Sequence, residues 1–169
     1  GTAALHGVAV ALDGLEKHFD RHLDAGQTLS ADRAAKCRVL VENGRREISE
    51  LLEASRGVAD LRTQDAVASH GERLCAGLFT LILEQHHVAA SYVDARRCIL
   101  TDDEHGSANP LLQEVAELKS LVELKRVPVL GGFIGATAEG VTTTLGRGSS
   151  DYSATLLGAA LQAEEIQIW

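Results

Sequence analysis

Residues Thr142 to Tyr152 read Thr-Thr-Thr-Leu-Gly-Arg-Gly-Ser-Ser-Asp-Tyr. Arg147 stands between two glycines, Gly146 and Gly148, and Ser149, Ser150 and Asp151 follow at once. A guanidinium presents a planar fork of N–H donors that grips a carboxylate or phosphate at two oxygens. The segment after Tyr152, Ser-Ala-Thr-Leu-Leu-Gly-Ala-Ala-Leu, has helical composition. The arginine loop therefore feeds a helix N-terminus, whose unpaired N–H groups and positive dipole end also favour an anion. Asp151 falls where a cap or first-turn acid would sit. Two further segments carry usable chemistry. Gly131-Gly-Phe-Ile-Gly135 follows the apolar run Val127-Pro-Val-Leu130, and Ser69-His-Gly-Glu72 supplies a carboxylate beside a glycine.

These segments need elements to hold them. Leu5, Val8, Leu12, Leu15, Phe19 and Leu23 recur at helical spacing, as do Cys37, Leu40, Val41, Ile48, Leu51 and Leu52. Ser30 is a candidate N-cap for the second helix, and Gly57 suits its end. Glu72 is expected to open a third helix after a turn at Ser69–Gly71, with Leu74, Leu78, Leu81 and Ile82 on one face and His86-His87 at its end. Val88–Val93 and Ile99–Leu100 read as strands, Thr101–Asn109 as a loop, and Pro110 as the start of a helix. Val127–Leu130 and Val141–Leu145 read as strands around a turn at Ala136–Gly140. The closing Glu165-Ile-Gln-Ile-Trp169 alternates as a strand does. Alternating strands and helices in the second half predict an α/β fold, with a largely parallel sheet between helical layers. Ligands gather beyond the carboxyl ends of such strands, where both glycine loops are expected.

Composition narrows the function. The chain has 169 residues, is 45% apolar and carries a net charge of −8, enough for one packed domain without a basic surface for nucleic acid. With 4% aromatic residues it lacks a stacking platform for bases. No apolar run reaches the roughly 20 residues that span a bilayer. Cys37, Cys75 and Cys98 lack zinc or redox spacing and suit free thiols in a reducing cytoplasm. His86-His87 and Asp102-Asp-Glu104 read as solvated surface, and no metal site is expected. The lack of methionine and the abrupt closing run suggest an internal piece of a longer protein.

In this order and spacing, the three segments resemble the aspartate kinases of the amino-acid-kinase superfamily. Thr142–Tyr152 is close to that family's TTTLGRGGSDY, Gly132-Phe-Ile-Gly135 matches its GFIG, and Ser69-His-Gly-Glu72 matches its S-x-G-E. The resemblance implies a three-layer αβα sandwich with a mainly parallel sheet, truncated at both ends, with a helical N-terminal third. Residues 1–169 would be a partial catalytic domain lacking the family's N-terminal Lys-x-Gly-Gly-Thr strand, its C-terminal nucleotide-binding part and its ACT domains. The implied activity is transfer of the ATP γ-phosphate, with Mg2+, to the side-chain carboxylate of L-aspartate, the first step of lysine, threonine and methionine synthesis. The parent protein would be a homo-oligomer, and this piece alone would be inactive.

By motif position, Glu72 would hold the substrate's amino group and Arg147 a substrate carboxylate. Ser150 would hydrogen-bond the substrate, Gly148 and Ser149 would line the same subsite, and Phe133 would form a wall. Asp151 would orient a catalytic lysine, and Gly135 and Gly146 would border the nucleotide. Ser149 departs from the family's glycine. Two other readings remain open: a different carboxylate kinase of the same fold, or a non-catalytic amino-acid-binding module.

Overall fold

A computed structural model describes residues 2–56, 58 and 60–169, with side chains for all of these except residues 2–9 and 11. The first third folds into the helices that its periodicity predicts. Helix α1 (Thr2–Gly26) and helix α2 (Ala31–Ala54) meet at Phe19, Cys37, Val41, Ile48 and Leu52, all buried. Ser30 is the N-cap residue of α2, but its side chain makes no capping bond; its Oγ accepts from Arg33 instead. Gly57, expected to end α2, lies outside the described residues, as do the side chains of Leu5 and Val8.

Helix α3 (Leu61–Gln85) differs from expectation. It starts at Leu61 rather than at Glu72, because Asp60 accepts a hydrogen bond from the Thr63 N–H at 2.7 Å and caps it. Glu72 is therefore an interior helical residue. A Cβ on Gly71 would meet nothing within 4 Å, so packing does not demand glycine at this interior helical position. One face of α3 sends Leu74 and Leu78 into the helical core. Another packs on strands β1 (Ala90–Tyr92), β4 (Val127–Val129) and β6 (Thr142–Thr144).

Two ladders are parallel: β1 with β4, and β2 (Ile99–Thr101) with β5 (Ile134–Ala136). Strands β3 (Pro110–Gln113) and β6 flank the second pair antiparallel, giving the order β3-β2-β5-β6. Helices α4 (Ala116–Glu123) and α5 (Ser150–Leu161) complete the αβα layering. Leu118, Leu121, Leu157 and Leu161 pack on Val93, Cys98 and Ile99.

Three further expectations are corrected. Pro110 opens β3 rather than a helix, opposite Thr101 where the β2–β3 register shifts. A proline, which donates no N–H, is accommodated at such a strand start. The helix begins only at Ala116, with Glu117 in its first turn. The closing alternation Glu165–Trp169 forms no strand. A strand needs a ladder partner, and Ile166 instead lies against Gly158 of α5. Gly135 and Ala136, expected in loop and turn, are strand β5. Among the described residues, no helix is long and apolar enough to cross a membrane.

Candidate active site

The three segments meet at one junction, and its centre is the loop between β4 and β5. A Cβ built on Gly131 would lie 2.9 Å from the Glu72 Cβ and 3.1 Å from the Glu72 carbonyl carbon, so loop and helix are in backbone contact. A Cβ on Gly132 would lie 3.0 Å from the Cα of Ser150, the first residue of α5. The loop is thus wedged between Glu72 on α3 and the α5 N-terminus, which also carries Asp151 in its first turn. Only residues without a side chain fit this wedge.

Phe133 follows with φ = 71°, a left-handed conformation that non-glycine residues rarely adopt. Such strain costs on the order of 1–3 kcal/mol and persists only where the surroundings hold it. Its N–H donates to Ser153 Oγ at 2.9 Å, and its carbonyl accepts from the Leu145 N–H at 2.9 Å. The Ser153 hydroxyl donates in turn to the Ser149 carbonyl at 3.0 Å, and the Ser149 hydroxyl donates to the Gly146 carbonyl at 2.6 Å. A run of hydrogen bonds therefore ties the glycine loop to the arginine loop through the first turns of α5.

Within the arginine loop, Gly146 and Gly148 have φ of 86° and 78°, which explains glycine on both sides of Arg147. Arg147, Ser150 and Asp151 are exposed, Ser149 is buried and Glu72 is half-buried. Arg147 and Glu72 make no hydrogen bond or ion pair with other described residues. The wedge sets Glu72 close to the N-terminus of α5, and Arg147 stands exposed three residues before that helix.

The loop rests on a strand of three buried threonines, each hydroxyl bonded to a different element. Thr142 Oγ1 accepts from Arg96 at 3.0 Å, Thr143 Oγ1 lies 2.7 Å from Thr101 Oγ1, and Thr144 Oγ1 donates to Asp65 at 2.5 Å. Arg96 is itself gripped by Asp94. Burial pushes the Asp94 carboxyl up, but the hydrogen bonds and charge of Arg96, with Arg73 beside them, outweigh this and hold it below its usual range.

Asp65, which no sequence motif singles out, is 3% exposed. Besides Thr144, it accepts from the Gly106 N–H at 3.0 Å and lies 2.8 Å from His105 Nδ1. Ser153 is likewise visible only in the structure. No local pattern flags either residue, because the partners of Asp65 and the Phe133 N–H that Ser153 accepts come from other segments.

Gly135, expected at the nucleotide, is buried in β5; a Cβ there would lie 2.8 Å from the Ile99 carbonyl oxygen and from Thr101 Cγ2. The approach of β2 accounts for that glycine by packing. Two cavities, of about 140 and 230 Å3, lie on other faces of α3. The first is lined by Glu47, His70, Arg73 and Tyr92, and the second by Phe19, Ile48 and Val67 among others. The junction therefore stands on backbone contact between loops and helices. Among the described residues, no group of three or more His, Cys, Asp or Glu side chains is arranged to hold a metal ion.

Both glycine loops follow the carboxyl ends of strands, β4 and β6, where ligands gather in α/β sheets. The chain belongs to the amino acid kinase family, whose sequence profile matches residues 7–169. It is similar to lysine-sensitive aspartokinase 3 of Escherichia coli, at 40% identity over 134 residues, covering 77% of this chain and 29% of that protein. Aspartokinase 1 of Bacillus subtilis is 39% identical over 120 residues, covering 70% of this chain and 30% of that protein. The crystal structure of E. coli aspartokinase III in complex with aspartate and ADP (R-state) superposes with a TM-score of 0.80 at 36% identity, over 94% of this chain and 35% of that one. The same enzyme with lysine and aspartate (T-state) gives a TM-score of 0.75 at 34% identity, over 94% of this chain and 35% of that one. The chain spans less than a third of the length of either curated relative.

Proposed function

We propose that this chain forms the amino-acid-binding part of an aspartate kinase. The observation that carries the reading is the wedge itself. Gly131 seats on Glu72 and Gly132 on Ser150, so three segments distant in sequence meet there, which supports their serving one site. The similarity to aspartokinases, one of them solved with aspartate and ADP, supports the choice of substrate.

In this reading the Glu72 carboxylate receives the substrate ammonium and the Arg147 guanidinium clamps a substrate carboxylate. Gly148, Ser149 and Ser150 line the same subsite, with the exposed Ser150 hydroxyl available to the substrate. Phe133, held in its strained conformation, forms a wall. Asp151 lies on the side toward the transferring phosphate and orients a lysine there, and Gly146 borders the nucleotide. A side-chain carboxylate oxygen of aspartate attacks the γ-phosphorus of ATP. The new O–P bond forms as the bond to the β-phosphate oxygen breaks, and ADP leaves with that electron pair. The nucleophile is already an anion, so no general base is required, and rate comes from positioning and charge neutralisation. Mg2+, which normally accompanies ATP, would be held chiefly by the phosphates and water, and the roles of Glu72, Arg147 and Ser150 need only the chain's own side chains.

Titration of the purified chain with L-aspartate, L-glutamate and L-lysine, followed by calorimetry or amide chemical shifts, tests the reading. L-aspartate is expected to bind best, and Arg147→Ala and Glu72→Gln are each expected to weaken it at least about tenfold, near 1.4 kcal/mol. Absence of L-aspartate binding, or equal binding by the wild type and Arg147→Ala, overturns it.

A further inference from the structure

We propose that Asp65 is a positioning residue that holds the Arg147 loop at a fixed distance from Glu72; this rests on the aspartate-binding reading above. Asp65 and Glu72 are seven residues apart on α3, which puts them on one face, two turns and about 10 Å apart along the axis. A buried carboxylate is costly unless its oxygens are hydrogen-bonded. Asp65 is 3% exposed, and its partners all come from the two segments that border the arginine loop. Thr144 Oγ1 donates to it at 2.5 Å, from the end of β6 that leads into Leu145 and Gly146. The Gly106 N–H and His105 Nδ1 reach it from the β2–β3 loop.

That second loop closes back on the first. The Ala108 N–H donates to the Thr144 carbonyl at 2.8 Å, and Gly106 and Ser107 lie against Gly146, where a Cβ would be 3.6 Å from either. Arg147 makes no bond of its own to other described residues, so the backbone around it sets where it stands. That backbone has two anchors: the Phe133–Ser153–Ser149 run on the α5 side, and Asp65 on the α3 side. Because Glu72 rides on the same helix face, Asp65 couples the two arms expected to hold the substrate's opposite charges.

The test uses the 169-residue chain. Asp65→Asn removes the charge, and Thr144→Val removes one donor while keeping the shape. Thr144→Ser keeps the hydroxyl and serves as the conservative rescue. Backbone 15N order parameters are measured over residues 146–149, with hydrogen exchange at the Ala108 and Leu145 amides and at Val41 and Ile48 in the helical core. Asp65→Asn and Thr144→Val are expected to lower order in the loop and to speed exchange at Ala108 and Leu145 by at least about tenfold, with Val41 and Ile48 unchanged. The Kd for L-aspartate is expected to rise at least about tenfold in Thr144→Val and to stay at the wild-type value in Thr144→Ser.

An unaltered loop in Thr144→Val, or equal acceleration in the helical core, overturns the proposal, because either outcome makes Asp65 a general fold contact. If Asp65→Asn does not fold, the Thr144 pair decides. If the wild type binds no L-aspartate, the substrate reading fails, and loop order still decides the role of Asp65.

Discussion

Gly131 and Glu72 touch so closely that a single added methyl group would lie 2.9 Å from the Glu72 Cβ, against a helix backbone that cannot move aside. The contact converts a loop into a shelf on α3, with its other side closed by Ser150. Gly131→Ala and Gly132→Ala are therefore expected to destabilise by about 1–3 kcal/mol each, as overpacking does. Urea denaturation measures the loss. Because both methyl groups push at the junction, L-aspartate affinity should fall in any fraction that remains folded. A wild-type midpoint for both variants would show that the wedge is loose enough to admit a side chain.

The Thr101–Thr143 pair predicts an asymmetry. Thr101 Oγ1 donates its one hydrogen to the Asp102 carbonyl at 2.8 Å, so the 2.7 Å contact is a donation from Thr143 to Thr101. Thr101→Val leaves the fully buried Thr143 hydroxyl without its acceptor, at a cost of about 1–3 kcal/mol. Thr143→Val removes the donor and leaves Thr101 bonded to Asp102, so it should cost less, about 1 kcal/mol. Equal losses in thermal or denaturant unfolding would reverse the assigned direction of that bond.

Thiol chemistry reads burial directly. Burial pushes the Cys98 thiol up to about 11, with Glu117 adding to the effect, and burial also raises Cys37. Cys75 is exposed. Since the thiolate is the reactive species, a maleimide or aromatic disulfide at pH 8 should label Cys75 quickly, and Cys37 and Cys98 only on the time scale of opening. Peptide mapping of the labelled chain identifies the sites, and rapid labelling of Cys98 would contradict its environment.

His70 gives stability a pH dependence. Burial pushes its imidazole below the ordinary 6.5; the hydrogen bond to the Ala66 carbonyl opposes this, Arg73 adds to the depression, and Glu47 opposes it. The unfolded chain then binds the proton more readily than the folded one. Stability is fully present above about pH 7 and falls as pH drops through 6.5 toward the depressed folded value, with a slope of at most about 1.4 kcal/mol per pH unit. Burial pushes the Glu47 carboxyl up, but Arg73 and His70 outweigh it and hold it low; with Asp94 it adds a separate loss at more acidic pH, below their ordinary 4.5 and 3.8. Denaturation midpoints followed from pH 8 to 5 should show the first step in the wild type and not in His70→Gln.

Helices α1 and α2 were legible in the sequence because core residues such as Cys37, Val41, Ile48 and Leu52 recur every three or four residues, and α5 because of its helical composition. The arginine loop was legible because glycine, arginine and hydroxyls in one run have few other uses. The start of α3 was hidden for a physical reason. Its buried positions over the first three turns are Thr63, Asp65, Ser69 and His70, so a hydrophobic period is absent although the helix is well packed. Those residues are buried with polar partners, and for Asp65 the partners lie 40, 41 and 79 residues away. Pro110 carries opposite meanings at a helix start and at a strand start, and only the pairing with Thr101 separates them. The alternation at Glu165–Trp169 is a sound strand pattern without a neighbour to pair with.

The row of threonines in β6 has a consequence for how the chain comes together. Each hydroxyl answers to a different segment, and sliding β6 by one position would bring Leu145 to Asp65 or Val141 to Arg96, so that one of these partners would lose its hydroxyl. The longest of these ties, from Thr144 to Asp65, bridges 79 residues. Strand β6 takes its register from the neighbouring β5, but it completes its buried bonds only with α3 in place, a remote pairing of the kind that slows the search.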